Sequence, residues 1–187
     1  MQLPDPLLYR RVMGDAWDRL APAVQSLHGG SGQKRFAGAF NVKRSHSALL
    51  NLLMKPMALP DAGSAVPLTL VISATGKGET WHRTFAGKPF ISEQVAGNSR
   101  RIRESVASGY LWFRPAEDAG SLVFEEVAFA ARLGPLTIPV PAWLAPRLTA
   151  KEDAVAGKPG VHATVRVTHP WFGLLIEYEG YVEPENA

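Results

Sequence analysis

The sequence predicts a mainly β (α+β) fold: an antiparallel barrel or strongly curved sheet of about ten strands, with N-terminal helices and one short apolar helix. Three observations carry this. From Pro67 almost to the C-terminus, short runs alternate apolar and polar residues with the period of two that a half-buried strand requires. Turn signals interrupt these runs at close spacing, and 15 prolines and 17 glycines in 187 residues supply them. The third observation is the stretch Leu133–Glu152, LGPLTIPVPAWLAPRLTAKE. Its four prolines, Pro135, Pro139, Pro141 and Pro146, lack amide donors, so no central strand or unbroken helix runs through it. It reads as an edge strand with Leu136, Ile138 and Val140 alternating, a one-turn corner at Ala142-Trp143-Leu144, and re-entry into a strand at Arg147.

Taken in order, Asp5-Pro6 signals a helix start, a capping acceptor followed by proline. Leu8, Val12, Trp17, Leu20, Val24 and Leu27 recur at roughly helical spacing. Gly14-Asp15 resets the helix, Pro22 opens a further turn, and His28-Gly29-Gly30 ends it, giving two or three short helices. Gln33–Lys43 turns to strand, with Phe36, Gly38, Phe40 and Val42 on one face. Ser45 is placed to cap a helix from His46 to about Lys55, apolar nearly all round, with Leu49, Leu50, Leu52, Leu53 and Met54. Such a helix is normally buried in a core; a lid over a cavity and a membrane contact are the alternatives. Strands then follow at Leu68–Ser73, Glu79–Phe85, Pro89–Val95, Arg101–Val106, Tyr110–Arg114, Ser121–Arg132, Leu148–Asp153, Val161–Thr168 and Gly173–Val182. Pro184–Ala187 is expected to fray.

The length fits a single domain, 1–187, with a helical segment at 5–28 packed on a β-rich body at 33–183. A net charge of +3 is mild, and its clusters, Lys34/Arg35, Lys43/Arg44 and Arg100-Arg101-Arg103, fit either a solvated surface or an anionic partner. Without cysteine there is neither disulfide nor thiol chemistry. MQLPDPLLYRR lacks the apolar run of a signal peptide, and no stretch reaches membrane-spanning length, so a cytoplasmic location is expected.

Strand parity yields the sharpest functional inference. Arg83 falls between Trp81 and Phe85, Glu104 between Ile102 and Val106, and Glu152 follows Leu148 and Ala150. Leu174, Ile176 and Tyr178 share one face of the last strand, opposite Glu177 and Glu179. If the apolar faces are the buried ones, an arginine, two glutamates and a tyrosine point inward. A buried charge needs a partner, so Arg83 is expected to meet Glu104 or Glu152, as a structural pair or as a pocket floor that recognises a ligand's polar group. Leu50, on the apolar helix, completes the candidate set of ligand-binding residues: Trp81, Arg83, Glu104, Glu152, Tyr178 and Leu50.

The five histidines show no metal-ligand spacing. His82 and His162 are assigned to outward faces, His169 to a turn, and His28 to a helix end, where its cationic form suits the dipole. No nucleophile elbow or glycine-rich phosphate loop occurs, and Gly76-Lys77-Gly78 is a hairpin turn. No metal or cofactor is expected. Tyr110, Trp112 and Arg114 suggest a base-stacking strand too weakly to propose a nucleic-acid partner.

Several segments carry a family resemblance: Leu27-His28-Gly29, Trp81–Gly87, Phe90-Ile91-Ser92, Leu133-Gly134 through Pro139–Pro146, and His169–Gly173 to Tyr178-Glu179-Gly180. The chain resembles the bacterial domain of unknown function family four-one-six-six along nearly its whole length, the proline corner being the most specific part. The resemblance implies a domain that stands alone or follows dehydrogenase-like or epimerase-like domains, with no assigned activity. This chain departs from the family pattern after Glu104, running Ser105-Val106-Ala107-Ser108-Gly109 where an aromatic-glycine pair is usual.

Three functions compete. The first is a module that binds a small apolar or amphipathic molecule inside the barrel. The second is an accessory domain for a dehydrogenase-like partner. The third is an enzyme using Glu104 or Glu152 as an acid or base.

Overall fold

A computed structural model describes residues 7–57, 59–106 and 109–185. The predicted helix start at Asp5-Pro6, the Ala107-Ser108 departure and the last two residues lie outside them. Eleven strands form: β1 (Gln33–Arg44), β2 (Gly63–Thr75), β3 (Gly78–Phe85), β4 (Lys88–Ala96), β5 (Ile102–Val106), β6 (Gly109–Asp118), β7 (Ser121–Leu133), β8 (Leu136–Pro139), β9 (Arg147–Ala154), β10 (Val161–His169) and β11 (Gly173–Pro184). All pairings are antiparallel, and all strands but β8 close into a ten-strand barrel.

The ring is an up-and-down meander in which sequence neighbours pair, until the last strand returns to the first. That seam joins β1 to β11 from Phe36↔Pro184 to Arg44↔Ile176. Gly38 lies in it, and a Cβ there would sit 2.0 Å from the Tyr181 carbonyl oxygen, so only glycine lets the two strands approach so closely. β8 pairs with β7 alone. The proline corner turns once, with Leu144 and Ala145 amides both donating to the Pro141 carbonyl, and β9 begins at Arg147 as expected. Among the described residues, β7 and β9 meet in two pairs, Leu122↔Glu152 and Val123↔Lys151. The proline stretch is therefore a spur at the narrowest joint of the ring, and its Leu136 and Ile138 are exposed instead of packed.

The N-terminal helices are α1 (Leu8–Met13), a 3-10 segment Gly14–Arg19, and α2 (Pro22–His28), with Pro22 in the first turn. Their apolar faces, including Tyr9, Trp17, Val24 and Leu27, join Phe36, Leu70 and Ile72 in one core that caps one end of the barrel. The register fixes what lies at each end. The β2–β3 and β6–β7 turns share the helix-capped end; Ala21 donates to the Gly120 carbonyl there. The opposite end carries the β3–β4, β7–β8 and β10–β11 turns, the proline corner and α3 (Ala48–Leu53).

Four expectations need correction. Ser47, not Ser45, caps α3, its hydroxyl accepting from the Leu50 amide, and the helix spans six residues. Core burial of α3 does not hold either, because Leu49 and Leu52 face solvent. In β11, the partners jump from Thr168↔Leu174 to Val167↔Ile176, so the extra residue Leu175 bulges and reverses the parity ahead of it. Leu175 thereby lines the interior beside Ile176, and Leu174 leaves it. Pro184 ends β11, and the following Glu185 amide donates to the Arg35 carbonyl, so the expected fraying does not begin at Pro184.

Candidate functional site

Each of the ten barrel strands sends at least one side chain into a space of about 560 Å³ that runs from α1 and α2 to the loops of the opposite end. Most of its wall is aliphatic or aromatic. Tyr9, Gln94, Arg83, Glu104, Glu152 and Tyr178 supply polar atoms along it.

β3 places Glu79, Trp81, Arg83 and Phe85 inward, by the alternation the sequence shows, and His82 outward. The Arg83 guanidinium donates to Ser92 Oγ at 2.9 Å through Nη1, and its Nη2 lies 3.5 Å from Glu104 Oε1. It also sits over the Trp81 ring at 4.7 Å. Arg83 is thus paired from one side, hydrogen-bonded from another and stacked on a third, as a charge removed from water requires. The expected meeting of Arg83 with Glu104 is present.

Deeper toward the helix cap, Trp81 Nε1 donates to Glu79 Oε2 at 3.1 Å, and Tyr9 OH donates to Gln94 Oε1 at 2.9 Å. His28 lies 2.6 Å from Glu152 through Nε2 and Oε2, an N–H donating to a carboxylate oxygen. Its ring is 3.9 Å from Tyr9 and 5.3 Å from Trp81, centroid to centroid, and is 1% exposed. The Tyr178 ring meets Phe85 at 5.8 Å and Phe40 at 6.2 Å, both edge-on.

Burial dominates the electrostatics. It pushes the Tyr178 phenol up to about 12, and it raises Tyr9 well above the ordinary tyrosine value, with the nearby Glu152 charge adding to the effect. Burial also lifts Glu79, against the pull of His28 and the Trp81 hydrogen bond. The proton-bearing forms of these three groups are therefore favoured inside.

Of the six residues expected to bind a ligand, Trp81, Arg83, Glu104, Glu152 and Tyr178 come together on the polar part of the wall. Leu50 also lines the space, but from α3 at the loop end. The parity argument reached Arg83 and passed over Glu79 four positions earlier on the same face. Ser92 and Gln94 lie inward with Phe90 on β4, and parity from Phe90 finds both. Tyr9 and His28 come from helices, where strand parity has no purchase. His28 does end α2, as assigned, but it is also a buried partner of Glu152, and its Nδ1 has no hydrogen-bond partner among the described residues. His169, assigned to a turn, donates from Nε2 to the Leu144 carbonyl at 3.0 Å, accepts from the Trp171 amide at Nδ1, and borders the interior. Among the described residues, no three His, Asp or Glu side chains gather as metal ligands would. Among them, too, no helix is long and apolar enough to cross a membrane.

A closed antiparallel ring, capped by helices at one end and carrying charged and aromatic side chains on its inner wall, makes this a β-barrel domain. The chain belongs to the domain of unknown function DUF4166, whose family model matches residues 20–182. The match begins at Leu20, so α2 and its His28 fall inside it and α1 with Tyr9 falls outside. No curated protein matches the chain.

Proposed function

We propose that the barrel binds an amphipathic small molecule, its apolar body among the aliphatic and aromatic wall residues and its head at the polar cluster. The observation that carries this is the pairing of a 560 Å³ interior with one grouped set of polar side chains, the usual anatomy of a small-molecule site. The charges narrow the head further. Arg83 is already neutralised by Glu104, and the Glu152 carboxylate, which accepts from His28, adds negative charge nearby. A carboxylate would meet uncompensated negative charge there. A hydroxyl, carbonyl or amide head can instead bond to Tyr178, Gln94 and the free edge of Arg83.

The test is uptake of the neutral dye Nile red, followed by displacement with long-chain alcohols, carboxylates and amines. Saturable one-to-one uptake is expected, with the alcohol displacing better than the carboxylate. Ala163→Phe, which fills the interior from β10, should abolish uptake while the protein still melts cooperatively. Absence of uptake by the native chain, or equal uptake by the filled variant, would sink the reading.

Acid–base catalysis at Glu152 is the second reading, and the His28 contact favours it, since it holds one carboxylate oxygen while Glu152 still borders the interior. Under that reading Glu152→Gln removes turnover of a bound ligand and leaves its affinity intact.

A further inference from the structure

Nine large hydrophobic residues are more than two-fifths exposed among the described residues, and eight of them lie at the loop end of the barrel. Leu49 and Leu52 stand on α3, Trp143 on the proline corner, and Trp171 with Phe172 on the β10–β11 turn; the β7–β8 hairpin adds the other three. Ile91, outward on β4, is the exception. Their exposure runs from 45% for Ile138 to 65% for Leu49 and Trp143. Trp143 and Trp171 approach to 5.6 Å between ring centroids, so the corner and the turn form one aromatic ridge. Single exposed hydrophobics are ordinary on a soluble protein, but a group gathered at one end marks a surface that meets something apolar.

The charges at that end are also one-sided. The described segments that build it, 43–57, 59–62, 86–88, 105–106, 109–110, 128–148 and 166–177, hold seven basic residues: Lys43, Arg44, Lys55, Lys88, Arg132, Arg147 and Arg166. They hold two acidic ones, Asp61 and Glu177, of the 17 in the chain. The helix-capped end is close to balanced: Asp15, Asp18, Glu79, Glu117, Asp118, Glu152, Asp153, Glu183 and Glu185 stand in or beside it, together with Arg10, Arg11, Arg19, Lys34, Arg35, Lys77, Arg100, Arg101, Arg103 and Lys158. The basic excess is therefore concentrated at the apolar end, although the net charge of the chain is only +3.

We propose that the loop end docks on the surface of an anionic lipid bilayer. Tryptophan, phenylalanine and leucine on separate loop tips enter the interface between headgroups and acyl chains, where an indole's apolar body and N–H are both accommodated. Lys43 and Arg166 share Glu177 and Lys88 pairs with Asp61, and the positive charge left over at this end meets the negative leaflet surface, which the near-balanced opposite end does not attract as strongly. A second copy of this chain is disfavoured as the occupant, because it sets two groups of seven cations against each other with two acids apiece. The rim is also continuous with the interior: Leu50 of α3, Met54 just after it and Phe172 of the β10–β11 turn line it. An amphipathic ligand passing between bilayer and barrel at this end stays among apolar side chains. The docking itself needs no ligand, so it stands or falls apart from the reading of the interior.

The experiment is vesicle flotation of the full chain. One set of vesicles is pure phosphatidylcholine and the other contains equal parts phosphatidylcholine and phosphatidylglycerol; matched vesicles with brominated acyl chains report on tryptophan depth. Binding should be roughly tenfold stronger or more on the mixed vesicles, and the brominated lipids should quench tryptophan fluorescence. Trp143→Ser/Trp171→Ser and, separately, Leu49→Ser/Leu52→Ser should each weaken binding by about tenfold. Lys77→Glu/Arg100→Glu, at the helix-capped end, should bind as the native chain does. All these positions are exposed, and thermal melts check that each variant is folded; if one pair melts early, the other carries the comparison. The proposal is overturned if the native chain fails to float with the mixed vesicles, or if the rim variants bind undiminished. It is equally overturned if the closed-end variant loses as much, or if binding occurs without quenching, which is adsorption by charge alone. A dimer that the rim variants dissolve, without vesicle binding, would assign the face to a second copy instead.

Discussion

Arg83 and Glu104 hold each other inside the barrel, and the way they do so makes a prediction. Removing one partner leaves the other charged and desolvated, so Arg83→Met or Glu104→Leu alone should lower stability by about 3–5 kcal/mol. The double variant Arg83→Met/Glu104→Leu replaces both by apolar volume and should stand near the native chain in urea melts. A double variant as unstable as the two single losses added together would mean that the pair is worth little, and that Ser92 and Trp81 hold Arg83 in place. Tyr178 gives a prediction in pH. Burial raises its phenol to about 12 against an ordinary value of 10.0, so the folded chain keeps a proton that the unfolded chain releases. Its contribution is fully present below pH 10 and is lost as the pH climbs toward 12. Phenolate absorbance at alkaline pH should therefore rise in two stages, the later one coinciding with unfolding, and Tyr178→Phe should flatten the fall in stability over that window. The inward placement of Arg83, Glu104 and Glu152 was legible in the sequence because a strand has a period of two and each sat between apolar neighbours. Tyr9 and His28 were not legible. A helix offers several faces, and the His28–Glu152 contact joins residues 124 positions apart.

At the scale of the element, α2 ends without a side-chain cap of its own and is finished by a residue of the next strand. Lys34, the second residue of β1, donates from Nζ to the carbonyls of Ser26 and Leu27 at 3.0 and 2.6 Å, and also to that of Gly29. An ammonium there satisfies carbonyls that the helix leaves open and suits the negative end of its dipole. Burial pulls the amine down to about 8, so it remains mostly charged at neutral pH. Lys34→Met should cost about 1–3 kcal/mol, seen as a drop of several degrees in Tm. An unchanged Tm would mean that water serves those carbonyls equally well. The strands and turns were legible to within a few residues, since each is a local pattern: β3 and β5 lie within a residue of their predicted bounds. The bulge at Leu175 was not legible, because an extra residue in β11 is defined by its partner β10. The apolar residues of α3 misled for a physical reason as well. Apolarity on every side says that a helix avoids water, but it does not say which apolar surface receives it.

For the whole molecule, the hairpin signals foretold the meander, because successive strands pair with their neighbours. Closure was implied only by the strand count and the proline corner; the seam that achieves it pairs β1 with β11 across most of the chain. The same seam settles where the chain enters and leaves. Phe36 lies opposite Pro184, and α1 and α2 cap that end, so Leu7 and Glu185 both emerge at the helix-capped end. A tether fixed at either terminus consequently holds the barrel by its back. Immobilised on a sensor chip through an N-terminal or a C-terminal tag, the protein should capture vesicles equally well, because the tryptophan-bearing rim points outward in both cases. Attachment through a cysteine introduced at Gly134, in the β7–β8 turn, reverses the molecule and should silence that capture without unfolding it.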